Sequence, residues 1–526
     1  MTERDKTIYQ LNKFLSKNYK FYKEKKISNK NILLVDRERV DALFPNAIIN
    51  LAVAKKSKMN VILLTDLESN TTSLKIYKHL GFNKVVKGFS KFLIFKKLNL
   101  FIFFIILSFF AILKIYQNGF KWLINKYHVK NILIGDLIYD HNIRFHHRYI
   151  NTKIDFYFIK LLIKATFRLL VIEKYFKKYN IKKIVVGTES YSFNSGIALR
   201  IAVFKNIKSY SLAGSFSNTG EFEIINFKKS FIKYGPESIC YDKEMYKKFK
   251  NMKVKKNEIE NFYKKRKNFK TINFLTRSSF ARANKISRQG EKFLKKIQDE
   301  KKNVILFASH AFSDAAHKMG INYAFENYYE QFQETLKFIS KYDKKNIWIF
   351  RGHPSSLLYE ESQKIKNLFN KYKRKNIFLC PRDVPIASLY KVCHSLVTGR
   401  GTAGLEFASE GKPIVICGAA IYSGSKIAVE AKSKKHYFKI LKNISFLKKS
   451  NKKKVFDAKR IIYFLENGLY LRNHIDGVPF KKDRLGSNFF KNCYGTKLSI
   501  LFKNVDKYLM ADINKSPIFK KIISVV

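Results

Sequence analysis

The sequence predicts an α/β protein built from two Rossmann-like, doubly wound domains facing a cleft, with an apolar helix inserted in the first. Three observations lead there. Short, continuously apolar runs alternate with amphipathic helical patterns, which is the signature of parallel strands covered on both faces. The alternation occurs twice, separated by a charge-rich stretch. The length of 526 residues suits two or three domains, each large enough to bury its own core.

In the first set, NILLVD (Asn31–Asp36) and NVILLTD (Asn60–Asp66) read as buried strands. TTSLKIYKHLGF follows as a helix closed by Gly81, then NKVVKGF as a short strand. NILIGD (Asn131–Asp136) is expected to join the same sheet. FYFIKLLIKATFRLLVIEKYFKKYN (Phe156–Asn180) is an amphipathic helix, IKKIVVGTES a buried strand, SGIALRIAVFKN a helix and IKSYSLAG a strand. The second set opens with KNVILFASH as strand and YYEQFQETLKFISKYD as helix. It continues through NIWIFRGHP, NIFLC, HSLVTG and PIVICG as strands, with helical patterns between them. These patterns place a first domain at 1–243, a helical linker at 244–302, a second domain at 303–450, and helices at 451–526 that pack back across the domains.

Between the third and fourth expected strands of the first set, NKVVKGF and NILIGD, lies LNLFIFFIILSFFAIL (98–113), sixteen residues bounded by Lys96, Lys97 and Lys114. A helix of that length covers roughly 24 Å, short of the ~30 Å hydrocarbon core of a bilayer. Its basic, Tyr- and Trp-bearing flanks suit headgroup depth, so a helix lying in the membrane interface is expected rather than a span. A fully buried core helix is the competing reading. The net charge points the same way. With 103 Lys+Arg against 40 Asp+Glu, the chain carries +63, which favours anionic lipid, nucleic acid or phosphorylated substrates. The abundance of Lys, Asn, Ile, Phe and Tyr also matches AT-rich coding bias, but that bias alone does not deplete Glu. Five scattered cysteines form no metal or redox spacing and read as reduced thiols. The charged first residues contain no signal-peptide core, so a cytoplasmic compartment is expected.

Ligands of open α/β sheets gather at the carboxyl ends of the strands. In the second domain those positions are small and polar: Ser309 and His310 with Ser313, Asp314 and His317; Arg351-Gly352-His353-Pro354-Ser355-Ser356; Thr398 to Ala403; and Gly418 to Tyr422. In TGRGTAGLE, a strand ends in two glycines, and Thr402, Ala403 and Gly404 start a helix whose amides offer an anion site. Glu406 is placed to take ribose hydroxyls, and Arg400 lies in the turn. Gly399, Gly401 and Gly404 spell G-x-G-x-x-G, but no carboxylate ends the next strand, so a dinucleotide site is not expected; nor is there a P-loop. The proline after His353 biases that residue to an extended backbone and aims its imidazole outward. There it can donate to a phosphate oxygen, with Arg351 adding charge-assisted bonds.

These segments resemble capsule and surface-polysaccharide biosynthesis proteins. SHAFSDAAHKMG, the His-Pro strand end and GRGTAGLEFASEGKPIVICGAAIYSG carry the resemblance, over about 303–437. Members of that group include GT-B enzymes of the β-Kdo-transferase type, more distantly similar to bacterial sialyltransferases and teichoic-acid glycerophosphotransferases. The resemblance implies that His353 and Pro354 meet the nucleotide phosphate and that Thr402, Gly404 and Glu406 hold the rest of the donor. The donor-side set is therefore His310, Arg351, His353, Pro354, Ser355, Arg400, Thr402, Ala403, Gly404 and Glu406. The catalytic candidates are Asp136, Asp140 and Glu189, with His353 as acid, and Arg144, His146, His147 and Arg148 could contact an acidic acceptor. The expected activity is transfer of a sugar, such as Kdo or a related acid from a CMP donor, onto a capsule or surface glycan or glycolipid. The nucleotide sugar serves as co-substrate, with no further cofactor and no metal. The expected partners are a lipid-linked or polysaccharide acceptor and the anionic inner face of the cytoplasmic membrane. SGSKIAVEAKS departs from the resemblance and leaves the donor open. Three alternatives stay open too: a teichoic-type polyol-phosphate transferase, a nucleic-acid-binding protein (though no RRM, KH or helix-turn-helix signature is present) and a non-catalytic scaffold.

Overall fold

The computed structural model describes residues 3–16, 29–36, 40–67, 71–88, 98–146, 154–187, 193–213, 221–226, 228–235, 238–267, 286–300, 302–318, 320–357, 359–468, 471–472, 520 and 523. The chain divides into two compact units. Unit 1 comprises 1–138, 154–227 and 470–526, and unit 2 comprises 139–153 and 228–469. The expected linker at 244–302 and the boundaries at 243 and 450 thus fall inside unit 2. Its helices Lys243–Lys250, Lys256–Lys267 and Arg288–Gln298 are rich in charge but carry an apolar stripe, and Met245, Phe249, Ile259, Tyr263 and Ile297 are buried.

Unit 1 holds a seven-stranded sheet. Its strands are β1 (Asn31–Val35), β2 (Asn60–Leu64), β3 (Val85–Val86), β6 (Ile181–Gly187), β7 (Lys208–Ala213), β8 (Glu221–Asn226) and β15 (Leu471–Arg472), in the order β15-β8-β7-β6-β1-β2-β3. β3, β2, β1, β6 and β7 are parallel, with Leu33 beside Ile62 and Ile184; β8 and β15 are antiparallel. In β1 and β2 four of the five residues are buried, as expected for strands covered on both faces.

NILIGD departs from expectation. Lys130 and Asn131 both take positive φ (49° and 63°), which turns the chain within two residues. β4 (His128–Val129) and β5 (Ile132–Leu133) close there as a separate antiparallel hairpin, and the helix Gly135–His146 begins immediately after it. Gly135 is needed at that start: a Cβ there would lie 1.7 Å from the Leu123 carbonyl oxygen. LYLRN also departs, since Leu471–Arg472 pairs as a strand with β8 where a helix was expected.

The apolar run forms the helix Leu98–Asn118. Ser108, Ala111 and Ile115 are buried on one side, whereas Ile102, Ile105, Ile106, Phe109, Phe110, Leu113 and Tyr116 are exposed. At 100° per residue those seven fall within an arc of about 140° opposite the buried trio. No described helix is long and apolar enough to cross a membrane.

Unit 2 holds a six-stranded, wholly parallel sheet: β9 (Val304–Ala308), β10 (Ile347–Arg351), β11 (Ile377–Leu379), β12 (Ser395–Thr398), β13 (Ile414–Ile416) and β14 (Val429–Glu430). The order is β11-β10-β9-β12-β13-β14. Alternate residues feed two cores. Val304, Leu306, Ile347 and Ile349 pack on one face, and Ile305, Phe307, Trp348 and Phe350 on the other. Phe307, Phe332 and Phe350 meet edge-on or stacked with centroids 4.9–5.6 Å apart, which fixes the sheet that presents the strand ends.

Candidate functional site

In unit 2 the chain runs from β9 outward to β10 and β11, then returns to the other side of β9 as β12. The strand order therefore reverses between β9 and β12, and the adjoining carboxyl ends diverge into a crevice. His310 follows β9, His353 follows β10, and Gly399–Gly401 follows β12. The first two are brought together: their rings lie nearly parallel with centroids 5.9 Å apart, and His310 also stacks on Tyr328 at 4.3 Å. A Cβ on Gly401 would come 3.6 Å from His310 Nε2, and one on Gly399 would lie 3.1 Å from the Tyr323 hydroxyl. Gly399 thus lets the β12 turn close against Tyr323, and Gly401 brings it to van der Waals distance of the imidazole.

The loop after β9 is held from beneath. Glu361, fully buried, accepts the amides of Phe312 (2.9 Å) and Ser313 (2.6 Å). Asp140 Oδ2 accepts the His317 amide at 2.8 Å, and its Oδ1 lies 2.9 Å from His317 Nδ1. Within the same loop Asp314 pairs with Lys318 and with Arg144, each at 3.0 Å, and Arg144 lies 4.8 Å over the Tyr359 ring. Burial alone would raise the Asp314 pKa, but Lys318 and Arg144 outweigh it and hold the carboxyl well below the usual range. Burial, aided by His353, pushes His310 down to about 3. Burial also lowers His353, with Asp314 opposing. The strand ends therefore present two neutral imidazoles beside a half-buried ion-pair cluster. Several polar atoms here are out of solvent reach without a partner: His310 Nε2, Ser313 Oγ, Ser356 Oγ and Arg400 Nε. Buried polar groups are nearly always satisfied, so such a concentration marks a place where a polar ligand completes the bonding.

The other expected residues fall elsewhere. Arg351 reaches the loop beyond β11, where its Nη1 donates to the Val384 carbonyl and contacts Cys380 Sγ at 3.5 Å. It braces that loop. Arg400 is buried over the Tyr323 ring (4.7 Å), and its guanidinium donates to Gly320 O at 3.1 Å. Pro354 is exposed and opens a short 3-10 turn; the side chain of Ser355 lies outside the described set. Thr402 is exposed and makes no capping bond, Ala403 is half-buried, and Gly404 is buried with its amide donating to Gly401 O at 3.1 Å. Leu405 N donates to Thr402 O at 2.9 Å, so the first amides of this seven-residue helix are used within its own turn. Glu406 is a correction. Arg266 Nη1 and Nη2 lie 2.6 and 2.5 Å from its two oxygens, and Arg266 Nε donates to Glu466 at 2.9 Å, all of them buried. Neither oxygen is left for a ribose.

Among the catalytic carboxylates, Asp136 is buried in unit 1 and paired with Arg200, whose Nη1 also binds Leu133 O at 2.9 Å; it is a core ion pair. Asp140 is committed to His317. Glu189, His147 and Arg148 lie outside the described residues, and His146 is exposed. The Asp140–His317 and Arg144–Asp314–Lys318 contacts were not anticipated. Asp314, His317 and Arg144 were visible as polar residues near strand ends, but their partners sit 170 and 177 positions apart. Among the described residues no group of three His, Cys, Asp or Glu side chains is placed to hold a metal ion.

Residues 240–467 match the family of capsule polysaccharide biosynthesis proteins. The segment covers the whole unit 2 sheet and both histidines, so the resemblance read from the sequence holds there. No curated protein matches the chain. Among solved structures, a β-Kdo 2,4-transferase domain of KpsC from Thermosulfurimonas dismutans is similar at 9% identity and a TM-score of 0.33, over 53% of this chain and 79% of that one. The UDP-GlcNAc 2-epimerase of Methanocaldococcus jannaschii, solved with UDP-GlcNAc and UDP, is similar at 12% identity and a TM-score of 0.27, over 83% and 99%. MnaA of S. aureus, solved with UDP, gives 11%, 0.25, 93% and 99%. At TM-scores this low these likenesses say nothing about a substrate.

Proposed function

We propose that this chain is a GT-B glycosyltransferase of capsule or surface-polysaccharide assembly that draws its sugar from a nucleotide donor. The observation that carries the reading is the stacked His310–His353 pair at the strand-order reversal of unit 2, inside the family-matched segment and ringed by unsatisfied polar atoms. A nucleotide phosphate arriving there supplies the missing acceptors, and a histidine N–H directed at its oxygens stabilises the charge that develops as the nucleotide leaves. Lys318, Arg144 and Arg400 add fixed positive charge around the same loops. The donor is a co-substrate, and the reading needs neither a resident cofactor nor a metal. A CMP-activated acid such as Kdo is the favoured donor, with unit 2 as the donor side and unit 1 as the acceptor side.

The enzyme works at the cytoplasmic face of an anionic membrane. The exposed arc of Leu98–Asn118 offers seven large apolar side chains, two of them, Ile106 and Phe109, 61% exposed. A +63 chain brings that face to anionic headgroups. Lipid-linked acceptors are concentrated in the same plane.

Thermal unfolding with CMP, UDP, GDP and ADP tests the donor site. A ligand at a hundred times its Kd adds about 2.7 kcal/mol, so one nucleotide should raise Tm in the wild type and fail to do so in His353→Ala. Wild-type protein that responds to none of the four, yet binds RNA or DNA in a salt-sensitive manner, would contradict the reading.

A further inference from the structure

His310 and His353 stand at the carboxyl edge of the unit 2 sheet; the amino edge of the same sheet carries a different chemistry. Segments 343–346, 373–376, 393–394 and 410–413 lead into β10, β11, β12 and β13. Along them runs the loop 443–451. Ser445 Oγ donates to Asn346 Oδ1 (2.7 Å) in front of β10, and Ser450 N donates to Gly411 O (2.9 Å) in front of β13. β9 and β12 lie between those two strands. Five residue steps reach at most about 17 Å, enough to pass three strand spacings of about 4.8 Å. The loop therefore crosses the amino edge of the sheet.

Together these five segments hold eight Lys and Arg against Asp343 and Glu410. Both acids are engaged. Asp343 accepts the amides of Lys345 and Asn346 as well as Asn346 Nδ2 and Trp348 Nε1, and Glu410 pairs with Lys267 at 2.5 Å. The chain's composition does not account for the excess, because the loops at the carboxyl edge (309–327, 352–361, 380–385, 399–402 and 417–428) hold five acids against four Lys and Arg. Around the crossing loop the imbalance is greater, with ten lysines and no Asp or Glu from 431 to 456. Of the ten, only Lys434 forms an ion pair among the described residues. Burial first, then the charge of Lys449, lowers the Lys412 pKa. Lys452, Lys453 and Lys454 are exposed in the first turn of the helix Lys452–Tyr463, with no acid there to offset the positive end of its dipole. Phe446 stands 80% exposed amid this charge, while Ile444 is buried in the core and Leu447 packs against it. The turn is anchored and holds its aromatic ring outward.

We propose that this edge of unit 2 docks on an anionic phospholipid bilayer, with Phe446 at headgroup depth and Lys448, Lys449 and Lys453 among the lipid phosphates. A nucleic acid, the other polyanion, is bound through successive stacking platforms and favours the arginine fork. From 431 to 456 there is no arginine, and the exposed Tyr342 ring at this edge lies beneath Lys341 and Lys442, 5.0 and 5.9 Å from its centroid. Flexible point charges around one outward apolar ring suit a fluid headgroup layer. Docking by the amino edge leaves the crevice at the carboxyl edge open to a nucleotide. That the bilayer is the inner face of the cytoplasmic membrane rests on the proposed function; the surface itself does not.

Co-sedimentation of the full-length protein with phosphatidylcholine vesicles, with and without phosphatidylglycerol, tests it; Tm with and without CMP, UDP, GDP and ADP is recorded on the same samples. A lysine near an anionic leaflet is worth about fivefold in partition. Lys448→Gln, Lys449→Gln and Lys453→Gln combined should therefore bind phosphatidylglycerol vesicles about a hundredfold more weakly, and Phe446→Ser about tenfold. Lys75→Gln, Lys78→Gln and Lys84→Gln combined removes the same charge from exposed positions of unit 1 and should cost less than about threefold. Every substituted side chain is exposed, so Tm should stay at the wild-type value. Equal losses in the two triple variants would reduce the effect to net charge and overturn the surface. A unit 2 triple variant that binds vesicles as wild type does overturns it too, and a loss confined to RNA binding would assign the edge to nucleic acid. Wild-type protein that ignores phosphatidylglycerol overturns both this surface and the membrane attachment proposed above. Vesicle binding that depends on these lysines, in a protein whose Tm no nucleotide moves, sustains the surface and removes the transferase reading alone.

Discussion

Replacing Arg266 by Leu should be among the most damaging single changes in unit 2. The guanidinium is buried between Glu406 and Glu466, at 2.5–2.9 Å from their oxygens. Burial disfavours its charge, yet the two carboxylates reverse the balance and raise its pKa. Without Arg266 two buried carboxylates lose the cation that both of them meet. Breaking such a group by removing one member costs about 3–5 kcal/mol. At roughly 2–4 °C per kcal/mol for a domain of this size, Tm should fall by about 6–20 °C. Replacing the whole trio with apolar residues of similar volume should recover most of that loss, because desolvation no longer has to be offset. Scanning calorimetry on Arg266→Leu, Glu406→Gln and the triple variant measures all three. The reasoning is refuted if Arg266→Leu unfolds within a degree of wild type. It is equally refuted if Glu406→Gln keeps its stability but loses the nucleotide response, since Glu406 would then serve the donor and not the core.

Ile106→Glu with Phe109→Glu should abolish binding to vesicles containing phosphatidylglycerol while leaving Tm unchanged, because both side chains face solvent in the folded chain; each apolar side chain buried in lipid is worth about 1.5–3 kcal/mol, and undiminished co-sedimentation would count against the membrane face. His310 titrates near the ordinary 6.5 when unfolded and only at about 3 when folded. The unfolded chain therefore holds more protons in that window, and stability falls as pH drops from about 6.5 towards 3. Tm against pH should be flatter for His310→Asn than for wild type, and parallel curves would show the imidazole to be solvated. EDTA should leave the rate of nucleotide release from the donor unchanged; a loss restored by Mg2+ would place a metal in the mechanism.

Much of unit 2 was legible because its strands are covered on both faces. VILFA, IWIF, SLVT and IVI are unbroken apolar runs, and the small polar residues after them have to lie at the carboxyl edge. His310 and His353 could be singled out on that ground alone. What misled was determined by distant partners or by backbone conformation. Nothing local distinguishes Glu406 in a helix start from a ribose ligand; Arg266, 140 positions earlier, decides it. Asp140 is bonded to His317, 177 positions later, a contact that no local pattern announces. NILIGD has strand composition, but the Lys130–Asn131 turn folds it onto its own neighbour before it can reach the sheet. The charge-rich 244–302 stretch hid an apolar stripe because lysines outnumber the buried residues around it.

The central claim is that a nucleotide phosphate is received by His310 and His353 where the unit 2 sheet reverses its order. Histidine-selective 15N labelling tests it directly. With 11 histidines in the chain, the two signals can be assigned from His310→Asn and His353→Asn. Addition of the nucleotide that raises Tm should shift both signals and leave exposed His146 and half-buried His436 unmoved. A nucleotide that binds without shifting either imidazole would place the donor elsewhere and contradict the account.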